Sequence, residues 1–312
     1  MSFGISAGQV AVMFFIMALG FLAFRLRWIG DEAVSGMTKL VMFIVTPAVI
    51  LTAFQRPFEA AQLRTIGLVF GLDLVVLALT IPLAAALFSR RFFPDQARRT
   101  VLRFGTTYSN VGFLGIPLAQ ALLGNDGVFY VVAFVVAFNV FAWTHGVLLF
   151  GGPREGARKN RLLEVVLNPN LLATAAGLIC FLASWQLPAL LGQAINHVAA
   201  MNTPLSMIVV GANLAAISLR SVLRDRDAWL GMLARNLLVP LVFVGAFAAL
   251  PLDPVARMAT LIAISAPVGA YVVMFSILHG RDTRFPTRLL TVSTLSSIVT
   301  MPLILALASA IW

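Results

Sequence analysis

Two apolar segments of the chain carry polar, glycine and proline residues that would interrupt a helix deep inside it. The first, TTYSNVGFLGIPLAQALLG, begins at Thr106 and contains Asn110, Gly112, Gly115 and Pro117. Proline lacks a backbone N–H and clashes with the carbonyl four residues back, and glycine permits non-helical backbone. A helix that restarts after a break presents unpaired N–H groups and about +0.5 charge at its N-terminus. The segment therefore predicts an anion site, with Asn110 as a hydrogen-bond donor.

The second segment, ISAPVGAYVVMF, contains Ser265 and the run Pro267–Gly269. Two interrupted helices at matching positions in two halves of a chain are a strong sequence indication of a transporter binding site. We predict half-helix ends at Gly115–Pro117 and Pro267–Gly269 that meet at one point and bind a carboxylate. The alternative is a pair of proline kinks that only shape packing. The predicted substrate-binding residues are Asn110, Gly112, Gly115, Ile116, Pro117, Thr46, Asn202, Thr203, Ser265, Pro267, Val268 and Gly269.

One acidic residue, Asp73, lies deep in an apolar segment, GLVFGLDLVVLALT. A charged side chain at the bilayer centre costs about 2.5–3.5 kcal/mol on insertion scales. A carboxyl group that gains a proton on one side of a membrane and loses it on the other can couple transport to a proton gradient. We predict that Asp73 handles a proton or a coupling ion; the alternative is a structural hydrogen bond to a neighbouring helix. Asn202, Asn213 and Asn236 are weaker candidates for cavity lining or hydrogen bonds between helices.

Motifs for other chemistry are missing from the sequence. There is no G-x-x-x-x-G-K-[ST] phosphate loop, and the three histidines form no HExxH or other metal-ligating pattern. The single cysteine, Cys180, can form no disulfide within the chain. We therefore predict neither enzymatic activity, nor a cofactor, nor a bound metal.

The elements that must position these residues are long apolar stretches. The chain of 312 residues is 60% hydrophobic and 11% charged, whereas soluble domains carry about 25% charged residues. About 20 apolar residues suffice for a helix to cross a bilayer. The sequence predicts an all-α membrane protein with ten transmembrane helices, at 5–24, 34–54, 65–88, 101–121, 127–150, 167–184, 196–219, 229–250, 256–279 and 286–311.

The basic residues follow the odd-numbered gaps between these spans. Of the 22 lysines and arginines, all but Arg56, Arg64 and Arg257 fall there, and we count Arg235 with the gap between spans 7 and 8. Lysine and arginine stay on the cytoplasmic side. The pattern predicts a multi-pass protein of the cell inner membrane with both termini outside, in the periplasm. The net charge of +10 is then a topology signal and not a sign of nucleic-acid binding.

The longest polar linker divides the spans into five and five. We predict a first five-helix repeat at 1–150, a cytoplasmic linker at 151–166 and a second repeat, inverted in the membrane, at 167–312. Prolines recur at corresponding steps of the two halves, which favours inverted repeats over chance. The matched pairs are Pro47 with Pro204, Pro82 with Pro240, and Pro117 with Pro267.

Three short segments of the chain together resemble the auxin efflux carrier family, which includes bacterial permeases and the plant PIN-type carriers. They are SNVGFLGIPLAQALLG, the Leu167–Asn170 run LNPN and the Asn202–Ser206 run NTPLS. The resemblance covers the whole chain. It implies a fold related to bile-acid symporters and NhaA, with helices 4 and 9 crossing as broken helices. It also implies transport of organic anions such as auxin-like acids, malate or malonate.

The resemblance extends to Asp73, near which PIN-type carriers also have an aspartate. It fails in one place, because the acidic residues that family members often carry late in span 9 are missing from Phe275–His279. That departure argues against ion coupling by this route.

We predict a secondary carrier of small organic anions. Its expected partners are the anionic substrate and the lipid bilayer, and no nucleic acid. A homodimer follows from the family resemblance alone. The rival interpretations are a sodium-coupled symporter of the bile-acid type, a non-transporting membrane receptor, and an intramembrane enzyme. The sodium-coupled form would need carboxylate ligands that spans 4 and 9 lack, and a receptor would need a long cytoplasmic loop or partner domain.

Overall fold

The computed structural model describes residues 3–151, 168–215, 222 and 224–312. The predicted cytoplasmic linker, apart from Gly151, lies outside the described residues. Regular structure in the described part is helical, apart from one isolated bridge between two extended residues. The helices are α1 (Phe3–Arg25), α2 (Asp31–Ala53), α3 (Ala60–Leu87), α4 (Gln96–Thr107), α5 (Val111–Leu149), α6 (Pro169–Leu182), α7 (Ala189–Ala215), α8 (Arg226–Ala248), α9 (Pro254–Ser265), α10 (Tyr271–Leu278) and α11 (Arg284–Ile311).

Six of these helices are long and apolar enough to cross a membrane. They are α2, α3, α5, α7, α8 and α11; α6, α9 and the Ala11–Arg25 part of α1 are shorter apolar helices. Helix α5 is two helices joined at a kink, because Gly124 has φ 65° and ψ −153° within it. The prediction of an all-α membrane protein is confirmed at this level. The arrangement as ten spans in two inverted repeats stays a prediction.

Prolines reshape three of the helices without ending them. Because proline has no N–H to donate, the helical hydrogen-bond ladder is interrupted at its position. A wide π-turn precedes the proline in each case, and such turns are found where a helix accommodates an irregularity. The residue before each proline donates its N–H to the carbonyl five residues back: Thr46 to Val41, Ile116 to Val111, and Val239 to Ala234.

The helices pack as two groups. In the first group, α1 lies along the second part of α7, and α2 packs on α6 and α7. In the second, α5 packs on α3 and α9, α8 packs on α11, and α4 contacts α3, α8 and α11. At one end of this second group, Asp225 accepts from Arg98 of α4 at 3.2 Å and from Arg288 of α11 at 3.1 Å. The groups meet where α2 contacts α5 and where α1 contacts α11.

Candidate functional site

The breaks of the two interrupted helices meet inside the second group. Between α4 and α5, and between α9 and α10, the chain is extended, and Ser109 pairs with Val268 in an antiparallel bridge. The backbone N–H of Asn110 donates to Pro267 O at 2.7 Å, and that of Gly269 donates to Tyr108 O at 3.0 Å. Unwound backbone inside a membrane must find partners within the protein. Here each break supplies partners for the other.

The position of one break differs from the predicted one. The second break lies at Pro267–Gly269, as expected, but the first lies at Tyr108–Asn110, ahead of Gly115–Pro117. The helix restarts at Val111 because the Asn110 side chain accepts from the Phe113 N–H at 3.4 Å and so caps the new N-terminus. Pro117 then follows the π-turn without a further break. The prediction of a half-helix end at Gly115–Pro117 is therefore wrong.

Close contact between the two extended segments requires glycine at one position. A Cβ added to Gly269 would lie 2.8 Å from Ser109 O and 3.3 Å from Tyr108 O. A Cβ at Gly112, by contrast, would meet nothing within 4 Å. Of these two predicted site glycines, Gly269 is the one whose lack of a side chain allows the crossing to form.

Helices α8 and α11 support the crossing from behind. The Val268 N–H donates to Ser293 Oγ at 2.9 Å, and Ser293 Oγ donates to Asn236 Oδ1 at 2.6 Å. The Asn236 amide in turn donates to Ser293 O at 2.7 Å. All three residues are buried. The interhelical hydrogen bonding that the sequence suggested for Asn236 is thus present, and it fixes the orientation of the peptide that precedes Val268.

A buried arginine also holds the crossing, and sequence reasoning missed it. We expected Arg235 in a gap between spans, but it lies inside α8 and is 1% exposed. Its guanidinium donates to Thr106 O at 3.1 Å and Ala266 O at 3.1 Å, and further to Thr107 O and Ile264 O. We assigned Arg235 to a gap because it lies near the start of the predicted span 229–250, where a basic side chain could still reach the membrane surface. Arg235 therefore bridges the C-terminal ends of α4 and α9.

A cavity of about 100 Å³ lies beside the crossing, between the two helix groups. The first group contributes residues of α2 and α7, and the second contributes the crossing and α11. The cavity carries five polar side chains among apolar ones, and Asn110 is 8% exposed there. Of the asparagines that the sequence suggested as cavity lining, Asn213 lines it. The lining residues are Thr38, Asn110, Phe113, Val209, Val210, Asn213, Leu214, Ala270, Leu290, Thr291 and Thr294.

Two helix N-termini face this cavity through Asn110 and Ala270. The N–H groups of Val111 and Gly112, and those of Ala270 and Tyr271, donate to no other residue that the structure describes. Asn110 Oδ1 is engaged as the cap, which leaves the Nδ2 hydrogens free of a partner within the described residues. Unpaired N–H groups and the partial positive charge of a helix N-terminus favour an anion. No arginine or lysine is among the described residues that line the cavity.

The remaining predicted site residues are not among those that line the cavity. Ser265 is wholly buried just before the second break, and its Oγ has no hydrogen-bond partner among the described residues. Gly115, Ile116 and Pro117 belong to the first turns of α5. Thr46 lies at the π-turn of α2, while Asn202 and Thr203 begin the second part of α7. Thr38, Thr291 and Thr294 were missed, because single threonines in apolar helices carry little signal.

Asp73 is 0% exposed on the buried face of α3, one helical turn after Val69 and one before Leu77. That helix packs mainly on α5, with further contacts to α4 and α9. Neither carboxylate oxygen has a hydrogen-bond partner among the residues that the structure describes. An isolated buried charge is costly. The geometry thus gives Asp73 none of the hydrogen bonds that a purely structural carboxylate would make within the described chain.

Comparison with known proteins points to transport. A sequence model of the family described as "Membrane transport protein" matches residues 5–305. The chain is 24% identical over 300 residues to an "Uncharacterized transporter" of Methanothermobacter thermautotrophicus, covering 96% of this chain and 97% of that protein. It is 22% identical over 221 residues to a protein of Rhizobium meliloti named "Putative malonate transporter", covering 69% of this chain and 68% of that one.

Proposed function

This chain belongs to the membrane transport protein family, and we propose that it is a secondary carrier of small organic anions. The substrates are carboxylates such as malonate, malate or auxin-like acids. Malonate is the first to be tried, because the chain is similar to the protein of Rhizobium meliloti named for malonate. The observation that carries the proposal is the pair of broken helices whose restarted N-termini border one cavity.

Size and charge of the cavity support a small anion. Pockets for drug-sized ligands measure about 300–1,000 Å³, so a cavity of about 100 Å³ suits a compact metabolite. A carboxylate placed there would accept hydrogen bonds from Asn110 Nδ2 and from the unpaired N–H groups at the two helix N-termini, those of Val111, Gly112, Ala270 and Tyr271. These donors attract negative charge through partial charges, and a substrate held without a basic side chain leaves readily, as a transport cycle requires.

The position of the cavity between the two helix groups supports transport by alternating access. We propose that the second group, which contains the crossing, moves relative to the first. At the end of α2 remote from Thr38, aromatic rings join the groups: the ring centroid of Phe129 in α5 lies 5.0 Å from that of Phe54 and 5.5 Å from that of Phe181. Arg56 pairs there with Asp126 at 2.7 Å. In the state described, these contacts close that end, and the cavity lies toward the other.

The membrane arrangement belongs to the same proposal. Helices α4 with the first part of α5, and α9 with α10, count as broken spans 4 and 9 of ten. The two five-span halves are inverted, both termini lie in the periplasm, and the protein works in the inner membrane as a homodimer. Asp73 couples transport to protons. The distribution of basic residues and the matched prolines support the orientation and the repeat.

Substrate class is tested first by thermal shift. The purified protein is heated with a panel of mono- and dicarboxylates, and a ligand that binds the native state raises its melting temperature by mass action. Malonate, or another small carboxylate, is expected to raise it, whereas a matched amide such as malonamide is not. A panel in which the neutral amides stabilise as well as the acids would contradict an anion site.

Transport is tested in proteoliposomes with Asn110→Ala. A hydrogen bond to a charged group is worth about 1.5–3 kcal/mol, so malonate counterflow at low substrate concentration should fall roughly ten- to a hundredfold. The control is Asn139→Ala, because Asn139 is similarly buried, at 3% exposure, and among the described residues its amide donates to Val135 O of its own helix alone. Equal rates in wild type and Asn110→Ala would remove Asn110 from the site.

A further inference from the structure

Arg235 is a positively charged side chain in the protein interior. Among the described residues, it has no acidic hydrogen-bond partner. Its four acceptors are backbone carbonyls, two at the end of α4 and two at the end of α9. Arginine stays charged at neutral pH, and a buried charge is stable only when compensated. Something other than a carboxylate must therefore compensate this one.

The two helix ends provide that compensation. The last carbonyls of a helix have no partner within it, and its C-terminus carries about −0.5 charge. Two such ends add up to about −1, which matches one guanidinium. The fork of N–H groups on arginine also suits several acceptors in different directions. Charge and geometry thus agree at a single point behind the crossing.

In transporters with discontinuous helices, unwound carbonyls and half-helix C-terminal ends are where coupling cations such as Na⁺ bind. Here a side chain of the protein occupies the carbonyl cluster. We propose that Arg235 is a resident cation: it fills the place of a mobile coupling cation at the crossing and so makes the transport cycle independent of Na⁺. The prediction of Na⁺-independent transport rests on the proposed carrier function. The role of Arg235 as the cation of the carbonyl cluster does not depend on that function.

Arg235 also positions the binding site. Thr107 immediately precedes the extended segment that leads to Asn110, and Ala266 immediately precedes Pro267. By holding both carbonyls, the guanidinium fixes the approach of both strands of the crossing. Neither Arg235 nor any of its four acceptors is among the described residues that line the cavity, so it is a positioning residue and not part of the substrate contact.

The test compares Arg235→Ala with Arg103→Ala. Arg103 is a matched control, because it lies in α4 and also donates to backbone carbonyls, those of Phe88 and Ala85 at the end of α3, away from the crossing. Each purified protein is melted in choline chloride, in NaCl, and in choline chloride with guanidinium added at millimolar, non-denaturing concentration. Ionic strength is kept constant.

The melting temperature of wild type should be the same in all three solutions, and so should that of Arg103→Ala. Arg235→Ala should melt lower in choline and should be raised by Na⁺ or guanidinium, because a mobile cation can then enter the carbonyl cluster. Malonate counterflow should be independent of Na⁺ in wild type. In Arg235→Ala it should fall roughly tenfold or more and recover with the same cation that restores the melting temperature.

Two further variants decide the result if Arg235→Ala does not fold. Arg235→Lys keeps the charge, and Arg235→Gln keeps hydrogen-bond donors without it, so the lysine variant should be recovered in better yield and melt higher. A glutamine variant equal to the lysine variant would overturn the proposal, as would Na⁺-dependent transport by wild type or an Arg235→Ala protein indifferent to both cations. If wild type moves no carboxylate at all, the carrier proposal fails while the melting data still decide the role of Arg235.

Discussion

At the scale of single residues, the site depends on asparagine and backbone groups more than on charged side chains. Asn110 is both the cap of α5 and a donor toward the cavity. Two buried ionisable residues, Arg235 and Asp73, both lie outside the cavity lining. The proposed binding and coupling roles are therefore separable by mutation, since a change at Asp73 leaves the donors of the cavity in place.

Asp73→Asn tests proton coupling. The substitution keeps the shape of the side chain and removes its ability to exchange a proton. An imposed pH gradient should change the rate of malonate flux through wild type and leave the rate through Asp73→Asn unchanged, while counterflow without a gradient persists. The measurement is flux in proteoliposomes with and without the gradient.

The control for Asp73 is Glu32→Gln, which neutralises an exposed carboxylate in the first turn of α2. That variant should respond to the gradient like wild type. A gradient response that survives in Asp73→Asn would assign the carboxyl group a structural role instead.

At the scale of elements, the crossing is a short antiparallel contact between two helix breaks, and it tolerates little added volume. Proline alone does not set the break: Pro47, Pro117 and Pro240 all sit in helices that continue through a π-turn. What separates α4 from α5 is the extended conformation of Tyr108, with φ −108° and ψ 112°, followed by the capping side chain of Asn110. The break is thus stabilised by its partner segment as well as by local sequence.

Gly269→Ala tests this contact. The added Cβ would come within 2.8 Å of Ser109 O, and overpacking of this kind costs typically 1–3 kcal/mol. We expect a lower melting temperature and roughly tenfold or greater loss of malonate counterflow, since the two N-termini that border the cavity would be displaced. Both quantities are measured on the purified, reconstituted protein.

Gly112→Ala is the companion variant, because a Cβ there meets nothing within 4 Å. It should melt at or above the temperature of wild type, since alanine favours a helix by about 1 kcal/mol over glycine. Similar losses of stability in the two variants would mean that glycine is needed in this region for some reason other than the close approach at the crossing.

At the scale of the whole molecule, the cavity lies at the boundary between two packed helix groups. The aromatic contacts of Phe54, Phe129 and Phe181 and the ion pair of Arg56 with Asp126 join the groups at one end. The bridge from Arg98 and Arg288 to Asp225 lies within the second group and braces it. This distribution suits one rigid group that moves against another.

The orientation in the membrane is tested by thiol labelling. Replacing the buried Cys180 by alanine gives a protein without cysteine. Glu59→Cys in that background should react with a membrane-impermeant maleimide on intact cells, because it lies in an even-numbered gap. Arg91→Cys, in an odd-numbered gap, should react only after the cells are permeabilised. Both positions are exposed. The reverse labelling pattern would invert the proposed topology.

The sequence alone predicted which segments are apolar helices, that two of them are interrupted, and to which family the chain belongs. These are local properties: composition, proline and glycine positions and short motifs can be read without knowing what packs where. It also singled out Asn110, Asn213 and Pro267–Gly269, because polar or helix-breaking residues are conspicuous against an apolar background.

Only the tertiary structure decided how these parts combine. The first break lies at Tyr108–Asn110 because it is paired with Pro267–Gly269, and Arg235 is internal because carbonyls of two distant helices surround it. Thr38, Thr291 and Thr294 reach the cavity from separate helices. Such contacts join residues far apart in the chain, so their energies depend on packing that no local pattern contains.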